Sequence, residues 1–246
     1  MPWFRTFPLC LVFLLSAPVS AEPITLHSGD RQISLLELYT SEGCSSCPPA
    51  DRWMSSLKSD RRLWREVVPV AFHVDYWDYL GWKDRFASAA YGARQRAYAQ
   101  YDLIRSVYTP GLILNGEEWR GWFLRPQLSL EANEAVGELT LEVNDRQAKG
   151  RFVNRRPLPE TLQMHVAVLG FDLSTAVQRG ENQGRTLTHD FVVLGYEMTP
   201  MIHSETGYRA QMKLPNLTDS SHRHAVAGWV SLTENPRPIQ AVGGWL

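Results

Sequence analysis

Residues 35–49, Leu-Leu-Glu-Leu-Tyr-Thr-Ser-Glu-Gly-Cys-Ser-Ser-Cys-Pro-Pro, decide the fold class and the chemistry predicted for this chain. Their apolar first part predicts a buried β-strand. The two prolines at the end are tolerated in the first turn of a helix, which is predicted over residues 48–59. Cys44 and Cys47 lie between the two elements. The pattern places Cys44 at the start of the helix, where free N–H groups and the helix dipole favour a thiolate.

The spacing of the two cysteines is typical of a dithiol that opens and closes as a disulfide. Cys44 is predicted to be the more exposed sulfur and therefore the nucleophile. Cys47, one turn further on, is predicted to resolve a mixed disulfide formed on Cys44. Both are candidate catalytic residues in thiol–disulfide exchange, with a protein or a small thiol or disulfide as the substrate.

The N-terminal residues predict export. Residues 1–21 contain Arg5, then an apolar run too short to span a bilayer, then small residues that end at Ala21, which is the pattern of a secretory signal peptide. Cleavage near Ala21 predicts a periplasmic or secreted protein. Cleavage also removes Cys10, so that two of the three cysteines remain. An exported chain with only one closely spaced cysteine pair has no wider disulfide framework, so the role of the pair is confined to its own loop.

Two other uses of the cysteine pair are open. A disulfide between Cys44 and Cys47 closes a short loop and removes little entropy from the unfolded chain, so a purely structural bond gives little stability. A tetrahedral zinc site needs more than two cysteines, and the sequence holds no second pair. The pattern therefore favours redox chemistry over a structural disulfide or a metal site, and it predicts no cofactor.

Composition narrows the class of partner. The chain has 25 Lys and Arg residues against 26 Asp and Glu residues, which is a formal net charge of −1. This balance argues against nucleic acid binding, which requires a basic surface. No segment after residue 21 has an apolar run of transmembrane length, so stable membrane insertion is not expected after signal cleavage.

The chain after the signal peptide divides into two parts of different pattern. Residues 22–137 alternate strand-like and helix-like segments, with helices predicted over residues 84–101 and 125–136, and this alternation predicts an α/β domain. Residues 138–246 contain six or seven short strand-like segments separated by turns. They predict an all-β, antiparallel, sandwich-like domain.

Several motifs together resemble known families. Residues 38–47 resemble the strand-to-active-site segment of thioredoxin-like and glutaredoxin-like proteins. A secreted bacterial family of unknown function, with a thioredoxin-like N-terminal domain, is similar over a longer set of motifs. These are Cys-Ser-Ser-Cys-Pro-Pro-Ala-Asp at 44–51, His-Val-Asp-Tyr-Trp-Asp-Tyr-Leu-Gly-Trp at 73–82, Gln-Arg-Ala-Tyr at 95–98 and Tyr-Thr-Pro at 108–110. The resemblance implies a thioredoxin-like fold for the first part of the chain, and export.

The resemblance to thioredoxin-like proteins also implies further site residues. In those proteins a cis proline faces the dithiol, and the residue before it offers backbone groups to an extended substrate. Thr109 and Pro110 fit these two places. Those proteins also carry a buried carboxylate six residues before the first cysteine, where this chain has Leu38. Glu37 is therefore a proton-handling residue only if the loop before Cys44 holds one extra residue. Otherwise it forms a structural ion pair.

The histidines leave alternatives open. His73 is a candidate proton-handling residue, because a histidine near a thiolate raises its reactivity, or else it is a hydrogen-bonded interior residue. Together with both sulfurs it also offers a copper(I) site, which soft thiolates suit. His189 lies in an alternating segment and is predicted to project from a sheet surface. Three functions remain: thiol–disulfide exchange, a non-catalytic thioredoxin-like binding module with a structural disulfide, and copper(I) handling.

Overall fold

The structure of the protein is a computed structural model that describes residues 22–124, 128, 130, 134–144, 146–158, 161–214 and 223–246. The predicted signal peptide and most of the helix predicted over residues 125–136 lie outside the described residues. Residues 134–136 are not helical, and Ala135 instead forms an isolated bridge with Arg31. Among the described residues, no helix has the length and apolar character needed to cross a bilayer.

Strands are the predominant secondary structure of the described residues, and short helices separate some of them. The helices are α1 (Pro48–Ser56), α2 (Ala89–Gln100) and α3 (Gly121–Leu124). The strands are β1 (Ile24–His27), β2 (Ser34–Thr40), β3 (Val67–His73), β4 (Gly111–Leu114), β5 (Glu117–Glu118), β6 (Gly137–Asn144), β7 (Gln147–Asn154), β8 (Leu162–Gly170), β9 (Leu173–Ala176), β10 (Thr186–His189), β11 (Val192–Pro200), β12 (Ile202–Ser204), β13 (Gly207–Lys213), β14 (His224–Leu232) and β15 (Asn235–Trp245).

The strands form sheets of eight, five and two strands. The large sheet has the order β15-β14-β8-β11-β3-β2-β4-β5, the second sheet has the order β1-β6-β7-β13-β12, and β9 pairs with β10. In the large sheet β2 and β3 are parallel, whereas β4 is antiparallel to β2. The carboxyl ends of β2 and β3 and the amino end of β4 therefore lie at the same end of the sheet.

The parallel strands β2 and β3 are covered on both faces. All their residues are buried, which explains why their sequences are nearly continuous apolar runs. Thr40 bonds to Asp51 of α1, whereas Glu37 bonds to Arg94 of α2. Since side chains alternate between the faces of a strand, residues 40 and 37 point to opposite faces. The helices α1 and α2 therefore cover opposite faces of the large sheet.

The five-stranded sheet packs against the β8 and β14 region of the large sheet. The residues of β6 alternate between buried and half-buried positions, so that one face of the strand is enclosed. Its buried residues Leu139 and Leu141 share a hydrophobic core with Met164 and Val166 of β8 and Val226 of β14. This core holds the two sheets together by burying their facing apolar side chains.

The predicted fold class, an α/β thioredoxin-like domain followed by a separate all-β domain, is wrong. Of the described residues, 48 % are in strands and 15 % are helical, so β-structure predominates. Strands of the second part extend the sheet of the first, because β11 pairs in parallel with β3 through Val192 and Ala71. This pairing supplies partners for backbone groups that an edge strand leaves open. The domain boundary after Gly137 stays a prediction, and four strands from each side of it form the one large sheet.

Individual elements follow the predicted pattern more closely than the fold class does. The helix predicted over residues 84–101 begins later, because Ser88 is its N-cap and accepts a hydrogen bond from the Ala90 N–H (3.3 Å). The sequence predicts a strand over residues 224–232, and β14 has these bounds. The strand β15 was not predicted, since Pro236 and Pro238 in it are unfavourable for strands.

Candidate functional site

The two cysteines form a disulfide between β2 and α1. Their Cα atoms are 5.4 Å apart. The Cys47 N–H donates to the Cys44 carbonyl (3.2 Å), and Cys47 is the N-cap residue of α1. The prediction that Cys44 begins the helix is therefore wrong by one turn, because the helix starts only after Cys47.

Neither sulfur reaches the surface of the folded chain. Cys44 and Cys47 are both 0 % exposed, whereas Ser45 and Ser46 between them are exposed. The prediction that Cys44 is the more exposed sulfur is therefore wrong. Because thiol–disulfide exchange requires direct attack of one sulfur on another, any reaction at this disulfide needs local opening of the structure.

The sheet topology brings the predicted site segments together. Thr40, the last residue of β2, pairs with His73 at the end of β3, and Tyr39 pairs with Gly111 at the start of β4. The cysteine loop follows Thr40, and Pro110 precedes Gly111. The disulfide, His73 and Pro110 therefore lie at one end of the large sheet, although they are far apart in the sequence.

The Thr109–Pro110 peptide bond is cis, as the resemblance implied. Trp77 connects this segment to the cysteine loop. Its Nε1 donates to Thr109 Oγ1 (2.7 Å), and its Cβ lies 3.0 Å from the position that a Cβ would occupy on Gly43. Gly43 precedes Cys44, so little room exists for a side chain there. Thr109 and Pro110 are half-buried, and their role in substrate binding stays a prediction.

Buried ionisable side chains adjoin the disulfide. Glu42 lies two residues before Cys44, and the Asp51 N–H donates to the Cys47 carbonyl (3.1 Å). Further ionisable groups come from β3, from the loop before α2 and from β10, and each member of the group is at most 6 % exposed. We call this group the polar cluster, and it consists of Glu42, Asp51, His73, Asp84 and His189.

Hydrogen bonds organise one side of the polar cluster. His73 Nδ1 donates to Asp84 Oδ2 (2.7 Å), and the same oxygen accepts the Glu42 N–H (2.9 Å). The Glu42 side chain is held by Trp82, whose Nε1 donates to Oε2 (2.8 Å). These bonds tie the loop before the first cysteine to the end of β3.

The other side of the polar cluster contains unpaired atoms. His189 Nε2 lies 3.7 Å from Glu42 Oε1, and His189 Nδ1 lies 3.7 Å from Asp51 Oδ2, both beyond hydrogen-bond distance. The following buried atoms have no hydrogen-bond partner among the described residues: Glu42 Oε1, His73 Nε2, Thr175 Oγ1 and both ring nitrogens of His189. Because buried unpaired polar groups are costly and rare, this concentration marks a candidate functional site.

Burial perturbs the acid–base properties of the cluster. Burial raises the pKa of Asp51 to about 6, which outweighs the hydrogen bond from Thr40 Oγ1. Burial, and then the nearby charge of Asp84, raises the pKa of Glu42. Burial, and then the charge of His73, lowers the pKa of His189 to about 3, so this ring is neutral at ordinary pH.

His73 and Asp84 shift each other's pKa values in opposite directions. Burial opposes the charge of His73, but attraction to Asp84 and the hydrogen bond with it outweigh burial and raise the His73 pKa. Burial likewise opposes the charge of Asp84, and the charged His73 outweighs it and lowers the Asp84 pKa. His73 is thus a buried, hydrogen-bonded residue of the polar cluster, and its role in proton handling stays a prediction.

Glu37 lies on the opposite face of the sheet from α1. Its carboxylate accepts hydrogen bonds from Arg94 Nε (2.8 Å) and Nη2 (2.9 Å), from Tyr39 Oη (2.8 Å) and from Tyr98 Oη (2.5 Å). Both carboxylate oxygens are therefore occupied. This arrangement corresponds to the structural ion pair, and it does not bring Glu37 to the polar cluster.

Sequence reasoning missed most of the cluster. The prediction that His189 projects from a sheet surface is wrong, because its ring stands nearly perpendicular to that of His73 with the ring centres 4.8 Å apart. Asp51 belongs to the Cys-Ser-Ser-Cys-Pro-Pro-Ala-Asp motif, which was a clue to its role. Nothing local in the sequence indicated Asp84 or His189, because only the tertiary structure brings them to the cysteine loop.

The described part of the chain holds no group of three or more His, Cys, Asp or Glu side chains arranged to bind a metal ion. His73 Nδ1 is occupied by Asp84, and the two sulfurs are bonded to each other. The copper(I) alternative therefore has no observation in its favour within the described residues.

Comparison with known proteins identifies the family. The model of the family described as "Protein of unknown function (DUF1223)" matches residues 35–231. The chain belongs to this family. The predicted membership in a family of unknown function is confirmed, and no curated protein matches the chain.

Two solved structures are similar to this member of the family. One is the crystal structure of protein AGR_C_4864 from Agrobacterium tumefaciens, with a TM-score of 0.55 and 24 % identity over 87 % of this chain and 93 % of that chain. The other is HBP35 of Porphyromonas gingivalis, with a TM-score of 0.56 and 16 % identity over 88 % of this chain and 76 % of that chain. At these identities the similarity concerns the fold alone.

Proposed function

We propose that this protein is an exported thiol–disulfide oxidoreductase-like protein that uses Cys44 and Cys47 as its redox pair. The observation that carries the proposal is a disulfide that closes a very short loop beside a buried cluster of ionisable side chains. Such a bond adds little stability, because stabilisation grows with loop length. Groups with perturbed pKa values concentrate at reactive sites. The pair therefore has a chemical role.

In the reduced protein, the Cys44 thiolate attacks one sulfur of a substrate disulfide. A bond forms between Cys44 and that sulfur, and the other substrate sulfur leaves as a thiolate and takes up a proton. The Cys47 thiolate then attacks the Cys44 sulfur and releases the second substrate thiolate. The substrate gains two electrons, and the protein returns to the disulfide. The same steps in reverse oxidise a substrate dithiol.

The polar cluster exchanges the proton that accompanies these steps. Asp51 is assigned this role because it is the member of the cluster that shares the first turn of α1 with Cys47, the N-cap residue. Its pKa of about 6 lies near ambient pH, where a group gains and loses a proton most readily. Asp51 replaces Glu37 in the proposed role, since Glu37 is held by Arg94 on the other face of the sheet.

Thr109 and Pro110 align the substrate in this proposal. They stand at the same end of the sheet as the disulfide, and the contact of Trp77 with Thr109 holds their segment beside the cysteine loop. Export to the periplasm or the medium, proposed from the pattern of residues 1–21, suits the chemistry because disulfides persist in oxidising compartments.

The reduction potential of the Cys44–Cys47 disulfide tests the proposal directly. The protein without residues 1–21 is equilibrated with glutathione or dithiothreitol buffers, and the reduced fraction is measured by thiol alkylation and mass spectrometry. A potential of about −270 to −120 mV, the range of exchange proteins, supports the proposal. A potential below about −300 mV marks an inert structural bond and overturns it.

A trapping experiment tests the assigned order of the cysteines. The Cys47→Ser variant retains Cys44 and should accumulate a mixed disulfide with a model substrate disulfide. The Cys44→Ser variant is the matched control and should trap less, because Cys47 is the resolving residue. Equal trapping by both variants would remove the assignment, and stronger trapping by Cys44→Ser would reverse it.

The burial of both sulfurs favours a second candidate function. In this alternative the protein is a non-catalytic binding module, and the disulfide only shapes the loop between β2 and α1. A stable and unreactive bond follows from complete enclosure of Cys44 and Cys47. The reduction potential distinguishes the two functions, because an inert bond has the lower value.

A further inference from the structure

The hairpin of β9 and β10 is a separate two-stranded sheet that lies beside the cysteine loop. Its strands pair from Thr186 with Ala176 to His189 with Leu173, and β10 packs against α1. Alternate residues on the two strands are buried, and they include His189 of the polar cluster. The hairpin therefore has one enclosed face directed toward the site and one face in solvent. We call its connection, residues 177–185, the cover loop.

Asn182 of the cover loop bonds directly to the cysteine loop. Its Nδ2 donates to the carbonyl oxygens of Glu42 and of Cys44, both at 2.9 Å. The side chain is 0 % exposed, although the loop around it lies at the surface. A neighbouring residue adds a third bond, since Glu181 Oε2 accepts the Ser45 N–H (2.9 Å). Three hydrogen bonds thus join the two loops across about 140 residues of sequence.

Bonds within the cover loop hold the Asn182 side chain in this orientation. Arg185 Nη1 donates to Asn182 Oδ1 (2.7 Å), so the amide oxygen is occupied and the NH2 group faces the cysteine loop. The loop is closed by backbone bonds from the Val177 N–H to the Arg185 carbonyl and from the Gly184 N–H to the Val177 carbonyl, both 2.9 Å. These bonds lie within the loop itself. The internal bonds of the loop therefore do not depend on its contact with the cysteine loop.

We propose that the cover loop controls access to the Cys44–Cys47 disulfide, with Asn182 as the positioning residue that latches it over the cysteine loop. The disulfide is enclosed while Asn182 bonds to the Cys44 carbonyl, and an attacking thiolate reaches it when these bonds break. This inference rests on the proposed function, because access to the disulfide matters only if the disulfide reacts with a substrate. A protein substrate then has to displace the cover loop in order to react, whereas a small thiol reacts during spontaneous opening.

The test measures the second-order rate of reduction by dithiothreitol, followed by alkylation of the freed thiols and mass spectrometry. The Asn182→Ala variant loses both donors to the cysteine loop and keeps the backbone bonds of the cover loop. Its reduction should be faster by about tenfold or more, as expected from the loss of two ordinary hydrogen bonds. The matched control is Gln183→Ala, which alters an exposed neighbour and should react at the wild-type rate. An unchanged or slower rate in Asn182→Ala would overturn the proposal.

Hydrogen exchange of the unaltered chain gives a second test that does not depend on the folding of a variant. If the cover loop opens with its internal bonds intact, the Ser45 N–H should exchange faster in the oxidised protein than the Val177 and Gly184 N–H groups, whose bonds lie within the loop. Exchange of the Ser45 N–H that is as slow as that of these two groups would contradict opening of the loop as a unit. The cover loop and the proposed function can fail independently. An inert reduction potential combined with faster reduction of Asn182→Ala would reject thiol–disulfide exchange and would still support control of access by the cover loop.

Discussion

His73 and Asp84 form an enclosed pair in which Nδ1 lies 2.7 Å from Oδ2 and both side chains are 0 % exposed. His73 ends β3, and Asp84 lies in the loop before α2. The oxygen that accepts from His73 also accepts the Glu42 N–H, two residues before the first cysteine. The pair therefore connects the end of the sheet to the cysteine loop, and its charge state affects both.

Removal of the Asp84 carboxylate should destabilise the protein strongly. In Asp84→Asn, His73 loses the charge that compensates for its burial, so we expect a loss of about 3–5 kcal/mol in the free energy of unfolding. The measurement is urea unfolding at pH 6. The control is Asp102→Asn, which alters an exposed carboxylate in a turn and should change little. A loss below about 1 kcal/mol, the value for an exposed pair, would mean that the pair is uncharged in the folded protein.

The contribution of this pair should depend on pH in a defined window. The folded-state pKa of His73 is raised, so its stabilisation is present below about pH 6.5 and is lost as the pH rises through the folded value. The folded-state pKa of Asp84 is lowered, so its stabilisation is present above about pH 4 and is lost as the pH falls through the folded value. The difference between wild type and Asp84→Asn should therefore be largest between these limits.

Ionisation of Asp51, unlike that of Asp84, should destabilise the folded protein. Its folded-state pKa of about 6 exceeds its value of 3.8 in the unfolded chain, so its contribution is most favourable in acid and is lost as the pH rises through 6. Asp51→Asn keeps an oxygen for the Thr40 hydroxyl and carries no charge. We expect it to raise the unfolding free energy at pH 8 by up to about 3 kcal/mol. Unfolding curves measured from pH 4 to 8 check this, and an unchanged pH slope would contradict a raised pKa.

Glu37 should contribute to the stability of the fold and leave the redox properties of the disulfide unaffected. Glu37→Gln leaves the buried Arg94 guanidinium without its charged partner, and we expect it to cost about 3–5 kcal/mol of stability. The reduction potential of the disulfide should stay at its wild-type value, because Glu37 lies on the other sheet face. Glu37→Gln combined with Arg94→Met restores part of the loss by removing the uncompensated charge. A shifted potential in Glu37→Gln would return this residue to the proton-handling role.

Thr109 should stabilise the site through its hydroxyl. Thr109→Val keeps the shape of the side chain and removes the acceptor for Trp77 Nε1. The expected loss is about 1 kcal/mol, the value of one ordinary hydrogen bond. Thr109→Ser retains the hydroxyl and is the matched control. A loss in Thr109→Ser without a loss in Thr109→Val would mean that the methyl group, and not the hydrogen bond, holds the segment.

Local sequence determined much of the secondary structure of this protein. The apolar run of β2, the prolines after Cys47 and the alternation in β6 specify backbone conformation through neighbouring residues alone. The Cys-Ser-Ser-Cys spacing likewise places two sulfurs within bonding distance, because it spans a single turn. The strands β2 and β6, the helix α1 and the close approach of the two sulfurs could therefore be predicted without knowledge of any distant contact.

Only the tertiary structure decided how these elements assemble and what surrounds the disulfide. The pairing of β11 with β3 joins strands about 120 residues apart in the sequence. Local sequence patterns do not predict a contact over that separation. His189 and Asn182 reach the cysteine loop through the fold of the β9–β10 hairpin. The burial that encloses both sulfurs and raises the pKa of Asp51 follows from the packing of all these segments. Solvent exclusion is a property of the assembled chain, and for that reason the reactivity of the cysteine pair depends on residues far from it in sequence.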